Sequence, residues 1–200
     1  MDETARAKWN RAAGSFDLSS RGGERRWAER KREFFSGMRG RVLFLAAGTG
    51  LDFQFFPSGQ EILAIDISEE MVERAKPRAE AYDGSIELRI ADVQELELED
   101  DSFDQVFTSC TFCSVPDPVK GLRELKRILK PGGELRMFEH TGSKWPPFSA
   151  MLHLMTPFSS RFGPWLNRNT VANVRNAGFD LVRVNNIYLD VVKTIHAEAR

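Results

Sequence analysis

A short apolar run that ends in glycines is the feature that most constrains this chain. Residues 42–45, Val-Leu-Phe-Leu, have no polar break, which is typical of a strand buried on both faces of a parallel sheet. Gly48 and Gly50 follow, and a strand that ends in a glycine-rich turn lets a ligand approach the backbone closely. The next apolar run, 61–65, ends in Asp66, a carboxylate placed to accept hydrogen bonds from two ribose hydroxyls. Together these features indicate a cofactor that contains a nucleoside.

Composition and charge favour one soluble globular domain. The chain has 200 residues, of which 42% are hydrophobic, and its net charge of −1 gives no overall attraction to nucleic acid. Residues 21–41 hold eight basic and three acidic side chains, which indicate either a solvated helix face or contact with an anionic substrate or lipid head group. No apolar run approaches the roughly 18 residues of a membrane span, and no signal-peptide core is present. We expect a cytoplasmic protein, with peripheral contact at the inner membrane surface left open.

Strand and helix signals alternate between residues 41 and 140, which predicts a doubly wound, mostly parallel α/β sheet. Ser68 is expected to cap a helix that Pro77 kinks or ends early, and Asp117-Pro118 opens the clearest helix. Pro131-Gly132-Gly133 is expected to end that helix. The expected strands cover residues 41–46, 61–66, 86–90, 103–109 and 134–139.

The two ends of the chain depart from this alternation of strands and helices. Two amphipathic helices are expected before the first strand, over 3–13 and 22–37, because Gly14 and Gly22-Gly23 interrupt the pattern between them. After the fifth strand come an apolar segment over 144–166, a helix over 169–177, and strands near 180–186 and 190–198.

Asp92 helps to distinguish between the two candidate nucleoside-containing cofactors, NAD and S-adenosylmethionine. A dinucleotide fold usually carries a third glycine, which is missing after Gly48-Thr49-Gly50, and Asp66 fits NAD and S-adenosylmethionine equally. An acid at position 92, after the third strand, can accept a hydrogen bond from an adenine amino group. Its alternative role is an N-cap, so NAD remains a distant possibility at this point.

Five motifs in order make the region from about 41 to 140 resemble the class I S-adenosylmethionine-dependent methyltransferases. They are Val42–Gly50, Ala64–Ser68 with Met71, Ala91–Val93, Ser102–Asp104 and Leu129–Gly133. The chain is similar in particular to the ubiquinone/menaquinone-biosynthesis group. Residues 111–115 and 137–140 resemble its thiol methyltransferase-like branch, and Val115–Pro118 with the basic N-terminal helices resembles the bacterial phospholipid N-methyltransferases.

The resemblance implies a Rossmann-like, seven-stranded sheet with helices on both faces and the last strand antiparallel. It divides one domain into an N-terminal helical lid (1–40), a cofactor-binding core (41–140), a substrate cap (141–178) and C-terminal strands (179–200). It implies S-adenosyl-L-methionine as cofactor and S-adenosyl-L-homocysteine as product. The cofactor-binding residues that it implies are Ala46, Gly48, Gly50, Asp66, Ile67, Met71, Asp92, Val93, Ser109 and Cys110.

The first motif departs from the family pattern. The family usually has an acid and then a glycine where this chain has Phe44 and Ala46. The acid orients the methionine end of the cofactor. Asp52, just past the glycine turn, is a candidate to supply a carboxylate instead, and a non-catalytic binding protein is an alternative reading of the altered motif.

His140 is the preferred catalytic candidate, because it lies where the fifth strand meets the ligand crevice. A general base is needed only if the methyl acceptor arrives protonated, as an ammonium or a thiol does. Alternatively, Glu139 is the strand-end group and His140 is turned away. His153 and His196 are expected to be structural, and Cys110 and Cys113 lack the further ligands that a metal site would need.

The apolar segment that ends at Leu166 suits an amphiphilic acceptor. Its aromatic and Met side chains either line an apolar pocket or pack on the sheet, and Lys144 and Arg161 flank it. The leading expectation is methyl transfer to a phospholipid head-group amine such as phosphatidylethanolamine, with small hydrophobic thiols or quinone precursors as alternatives. The expected partners are therefore a small-molecule or lipid substrate and a membrane surface, not nucleic acid; no oligomeric state is implied.

Overall fold

One seven-stranded sheet organises the fold. The computed structural model describes the backbone of residues 1–200 and every side chain except those of Arg21 and Phe162. The strands are β1 (Val42–Leu45), β2 (Glu61–Asp66), β3 (Ser85–Ile90), β4 (Phe103–Ser109), β5 (Leu129–His140), β6 (Asp180–Tyr188) and β7 (Val192–Glu198). Their order across the sheet is β3-β2-β1-β4-β5-β7-β6. The first five run parallel, and β7 is antiparallel to both β5 and β6, so the expected Rossmann-like sheet is confirmed.

Helices cover both faces of this sheet. They are α1 (Glu3–Phe35), α2 (Glu69–Glu80), α3 (Pro118–Ile128), α4 (Pro146–Phe162) and α5 (Thr170–Asn176), with a 3₁₀ segment at Leu51–Phe55. Leu43 and Leu45 enter the core shared with α3 and α5, whereas Val42 and Phe44 enter the core shared with α1 and α2. Because consecutive side chains of a strand point to opposite faces, a strand buried on both sides needs no polar positions.

The prediction of two N-terminal helices is wrong, because α1 is a single helix of 33 residues. Asp2 caps it, and contacts with other elements hold it on both sides of its glycines. A Cβ at Gly22 or Gly23 would meet nothing within 4 Å, so no packing constraint requires a glycine there. Each helical glycine costs about 1 kcal/mol relative to alanine, which the tertiary contacts of α1 outweigh.

Two predicted helix ends are also wrong. Pro77 neither ends nor shortens α2, which continues to Glu80. Pro77 lies in the exposed last turn, where water can satisfy the carbonyl that its missing N–H leaves unpaired. The helix α3 ends at Ile128, before the Pro131 motif, because Leu129 already pairs with Phe103 of β4. Among the helices that the structure describes, none is both long and apolar enough to cross a membrane.

The turn after β1 has an unusual backbone at Ala46. Its φ of +59° lies in the left-handed region, which costs a residue with a Cβ about 1–2 kcal/mol. Gly50 has a φ of +81°, and a Cβ there would come within 2.8 Å of the Phe53 ring, so only glycine fits. The chain thus keeps a glycine conformation at position 46 while carrying alanine.

Ala46→Gly is expected to raise the free energy of unfolding by about 1 kcal/mol, because glycine adopts a positive φ without strain. Denaturant unfolding measures the change. Ala47→Gly is the matched control: Ala47 is buried and has no positive φ, so this variant is expected to be less stable than the wild type by about 1 kcal/mol. Equal destabilisation by both substitutions would show that Ala46 is not strained.

Candidate active site

Asp66 ties together the loops that follow β1 and β2. Its carboxylate accepts hydrogen bonds from the backbone N–H groups of Gly48 (2.8 Å) and Ser68 (2.9 Å). Asp66 is 7% exposed, and burial raises the pKa of its carboxyl to about 6. The acid at the end of β2 therefore lies directly beside the glycine loop.

Asp92, after β3, is held in a similar way. Its Oδ1 accepts from the backbone N–H of Gln94 (2.9 Å), and its Oδ2 accepts from the backbone N–H of Asp2 (2.7 Å). Burial acts to raise the pKa of Asp92, but these hydrogen bonds outweigh it and lower the pKa below its usual value. Asp92 is therefore ionised at neutral pH, and one of its oxygens contacts the start of α1.

The first half of α1 lies along the same edge of the sheet. Asn10 accepts a hydrogen bond from the Ser68 hydroxyl (2.6 Å), and Asp17 accepts from the Thr49 hydroxyl. The Phe16 ring lies over Gly48, and a Cβ added to Gly48 would be 3.6 Å from this ring. The same helix thus contacts Asp92, the end of β2 and the glycine loop in turn, which places these groups along one edge of the sheet, here called the cleft.

The other sequence-predicted cofactor residues also follow the carboxyl ends of strands. Ile67 is half-buried beside Asp66, Met71 is buried in the first turn of α2, and Val93 is buried next to Asp92. Ser109 ends β4.

Cys110 has a φ of +53° and is exposed, although burial raises the pKa of its thiol to about 12. Cys110 and Cys113 are free thiols, and the described side chains contain no group of three residues that could hold a metal ion.

Glu139 points away from His140, to the opposite face of the sheet. It is fully buried, and its Oε1 accepts from the Thr108 hydroxyl (2.8 Å) and from the N–H groups of Thr111 (3.0 Å) and Phe112 (3.3 Å). Its Oε2 has no partner among the described residues, and burial raises the pKa of this carboxyl to about 7. Glu139 therefore fixes the loop that follows β4.

His140 lies on the face that α1 covers. Phe138, two residues earlier and hence on the same face, packs against Trp27 of α1 with ring centroids 6.1 Å apart. The Nδ1 atom of His140 is buried and has no partner in the described part of the chain, and burial lowers the pKa of the imidazole. His140 is thus a neutral base at pH 7 with a free ring nitrogen.

The remaining histidines lie elsewhere. His153 is exposed on α4, with its Nδ1 atom 2.9 Å from the Ser149 carbonyl oxygen. His196 belongs to β7, and its Nε2 atom is 3.5 Å from Glu134. The structural roles expected for both histidines stay predictions.

A buried lysine is the site residue that sequence reasoning missed. Lys31 of α1 is 5% exposed and bridges Glu24 (2.8 Å) and Asp52 (2.6 Å). The sequence shows opposite charges at positions 24 and 31, two helical turns apart, which is the spacing of one helix face. The sequence does not show that Lys31 is buried, because the surrounding segment is rich in exposed basic residues.

The apolar segment over 144–166 is buried in part and exposed in part. Leu152 and Thr156 are buried, but five large apolar side chains of this segment are exposed: Trp145, Met151, Leu154, Met155 and Phe158. Four of these recur at helical spacing on one face of α4. This face is named here the α4 stripe and consists of Met151, Leu154, Met155 and Phe158.

The α4 segment borders the cleft. Lys8 of α1 donates to the carbonyl oxygens of Ser160 (3.3 Å) and Gly163 (2.6 Å) at its C-terminal end. The backbone N–H of Trp165 donates to the Cys113 carbonyl (2.8 Å), in the loop that Glu139 fixes.

Residues 43–137 match the protein-family model described as a methyltransferase domain. The chain is 30% identical over 176 residues to a thiol S-methyltransferase of Homo sapiens, an alignment that covers 80% of this chain and 71% of that protein. The chain belongs to the S-adenosylmethionine-dependent methyltransferases. The cofactor implied by the sequence motifs is thereby confirmed at the level of the family.

Relatives with other acceptors match about equally well. The ubiquinone/menaquinone biosynthesis C-methyltransferase of Geotalea daltonii is 35% identical over 135 residues, covering 64% of this chain and 57% of that enzyme. The phosphatidylethanolamine N-methyltransferase of Cereibacter sphaeroides is 31% identical over 126 residues, covering 62% of each protein. The chain thus spans little more than half of the Geotalea enzyme, and its own acceptor is not fixed by these matches.

Solved structures show the same fold. A methyltransferase of Haloferax volcanii, solved with its Trm112 activator, superposes with a TM-score of 0.70 at 19% identity, covering 96% of this chain and 97% of the other. A SAM-dependent methyltransferase of Aquifex aeolicus gives 0.64 at 20% identity, covering 86% and 89%.

The residues present fit this cofactor. Gly48 and Gly50 adopt positive φ in the loop beside Asp66, and no side chain of their own obstructs the backbone there. Two carboxylates, Asp66 and Asp92, offer acceptors for hydroxyl and amino groups on the same cleft. Glu24 Oε2 is a further buried acceptor without a partner among the described residues.

Glu139→Gln is expected to change the pH dependence of stability. The pKa of Glu139 is about 7 in the folded state, above its ordinary value, so the wild type loses stability as pH rises from about 4.5 to about 7. Glutamine retains the acceptor oxygen without the charge and removes this loss. Unfolding curves are expected to show that the free energy of unfolding of the variant, relative to that of the wild type, increases by on the order of 3 kcal/mol between pH 5 and pH 8.

Glu124→Gln is the matched control with the opposite sign. The pKa of Glu124 is lowered, chiefly by its hydrogen bond from Arg127, so its contribution to stability is present above its unfolded-state pKa and is lost in acid. This variant is expected to lose stability relative to the wild type at pH 8. Parallel pH profiles for wild type and Glu139→Gln would contradict a buried, protonatable Glu139.

Proposed function

We propose that this chain transfers a methyl group from S-adenosylmethionine to a small amphiphilic acceptor, and that the acceptor is a phospholipid head-group amine such as phosphatidylethanolamine. The observation that carries the proposal is the α4 stripe. Four large apolar side chains face solvent beside the cleft, and Lys144 and Arg161 are exposed on the same segment. An apolar surface with basic neighbours suits a molecule with an apolar tail and an anionic phosphate.

The cofactor-binding residues are assigned as follows. Asp66 would hold the ribose hydroxyls, Asp92 and Val93 the adenine amino edge, and Ile67 and Met71 the adenine faces. Ala46, Gly48, Gly50, Ser109 and Cys110 would surround the methionine end. When bound, S-adenosylmethionine supplies a methyl group activated by the positive charge on its sulfur.

Residues 2–17, the N-cap and the first half of α1, would act as the lid over this cleft. They contact Asp92, Ser68 and Thr49, and Phe16 covers Gly48. A helix in this position excludes water from the reacting groups, which prevents loss of the methyl group to solvent. The lid has to move for ligands to enter.

His140 would hold the proton that the acceptor releases. An ammonium must become an amine before its nitrogen can attack a methyl group. The Nδ1 atom of His140 is neutral at pH 7, has no partner among the described residues, and can accept that proton.

A small hydrophobic thiol is the second candidate. The human thiol S-methyltransferase aligns with 80% of this chain, more than the phosphatidylethanolamine enzyme does. A thiol also has a proton to lose, so the same role for His140 serves both candidates.

His140→Ala is expected to lower turnover by about 100-fold while leaving cofactor affinity unchanged, because the variant removes only the proton acceptor. Methyl transfer and calorimetric titration of S-adenosylhomocysteine measure the two effects. His153→Ala, an exposed histidine on α4, is the control and is expected to retain full activity. Unchanged turnover in His140→Ala would remove this residue from the mechanism.

The acceptor is tested with vesicles containing phosphatidylethanolamine and with an alkyl thiol in separate assays. Faster methylation of the lipid is expected, and Leu154→Asp is expected to reduce both vesicle binding and lipid methylation because Leu154 is 84% exposed on the α4 stripe. Val182→Asp, at an exposed apolar site on β6, is the control. Transfer to the thiol alone would favour the second candidate, and transfer to neither would refute both.

A further inference from the structure

A buried ion-pair cluster on α1 lacks one positive charge. Lys31 Nζ donates to Glu24 Oε1 (2.8 Å) and to Asp52 Oδ1 (2.6 Å), so two carboxylates surround one ammonium. The side chains of Lys31, Glu24 and Asp52 are only 6%, 18% and 12% exposed. Burying charges is unfavourable unless they are fully paired, so a net charge of −1 in this position is costly for a purely structural cluster.

Two hydrogen-bonding positions of the cluster remain open. A lysine ammonium has three N–H donors, and the two recorded bonds use two of them. The second oxygen of Glu24, Oε2, is buried and has no partner among the described residues. The cluster therefore has an N–H and a carboxylate oxygen that no hydrogen bond among the described residues uses, and the Lys31 ammonium also lies 5.9 Å from the centroid of the Phe55 ring.

Electrostatics within the cluster agree with this description. Burial raises the pKa of Glu24, and the charge of Asp52 raises it further, against the opposing effect of Lys31. Burial alone would lower the pKa of Lys31, but the two carboxylates outweigh it and raise the pKa above its usual value. Lys31 thus stays charged, and a second cation beside Glu24 would relieve the repulsion between the acids.

The cluster lies at the end of the cleft where the methionine part of the cofactor belongs. Asp52 follows Gly50 by two residues and holds Lys31 at 2.6 Å, so the cluster lies directly after the glycine loop. Phe44 offers no acceptor at this end because its side chain has no polar atom, and its ring packs among others, with the Phe35 and Phe56 centroids 5.8 and 5.0 Å away.

We propose that Glu24 and Lys31 bind the amino-acid end of S-adenosylmethionine. Glu24 Oε2 accepts hydrogen bonds from the α-ammonium, the free N–H of Lys31 donates to the α-carboxylate, and Asp52 holds Lys31 in position. A free acceptor beside a free donor matches the two charges of an amino-acid zwitterion. The helix before the sheet thereby supplies the charge that the first motif lacks. The assignment rests on the cofactor of the proposed function and not on the identity of the methyl acceptor.

Two ligands that differ only at the amino-acid end test the proposal. S-adenosylhomocysteine carries the ammonium and the carboxylate, whereas 5′-methylthioadenosine has the same adenosine and thioether without them. Glu24→Gln is expected to weaken binding of S-adenosylhomocysteine at least tenfold and to leave binding of 5′-methylthioadenosine unchanged, as measured by calorimetry. Asp52→Asn is expected to show the same selectivity to a smaller degree.

Glu29→Gln is the matched control, because Glu29 is an exposed residue of the same helix and is expected to affect neither ligand. Thermal unfolding of each variant monitors folding. An equal loss of affinity for both ligands in Glu24→Gln, or no loss for either, would overturn the proposal. So would a wild type that binds the two ligands equally, since the amino-acid end would then contribute nothing. Failure to methylate any lipid would leave these binding results unaffected and would count against the proposed acceptor alone.

Discussion

The buried carboxylate of Asp66 is the interaction on which the architecture of the cleft depends. It accepts hydrogen bonds from the backbone of two loops, at Gly48 after β1 and at Ser68 before α2. Without it, two N–H groups at the carboxyl ends of neighbouring strands would lose their acceptor. The glycine loop and the start of α2 are therefore held in register by one side chain, whose pKa burial raises to about 6.

A single helix then completes both the core and the cleft. The last turns of α1 bury Phe34 and Phe35 against Phe107 and Phe44, while its first turns contact Asp92 and the glycine loop. A straight helix of 33 residues spans about 50 Å, enough to join these two regions without a break. Packing at one end thus fixes where the other end crosses the cleft.

Local signals made most of the fold predictable. The alternation of strands and helices, the caps at Ser68 and Asp117, and the position of Asp66 depend on neighbouring residues in the chain, and each is observed. The continuity of α1 was not predictable, because the contacts that hold its glycines helical come from distant segments. Burial of Lys31 and Glu139 was equally hidden: the sequence shows which side chains carry charge, but not which of them lose their water.

The hydrogen bond between Asp2 and Asp92 has a consequence for the timing of the reaction cycle. The backbone N–H of Asp2 donates to Oδ2 of Asp92, a carboxylate that the proposed assignment gives to the adenine amino group. If both need the same oxygen, nucleoside exchange and fraying of the first helical turn become one event. The rate at which the first turn of α1 loosens would then set an upper limit on how often the product leaves.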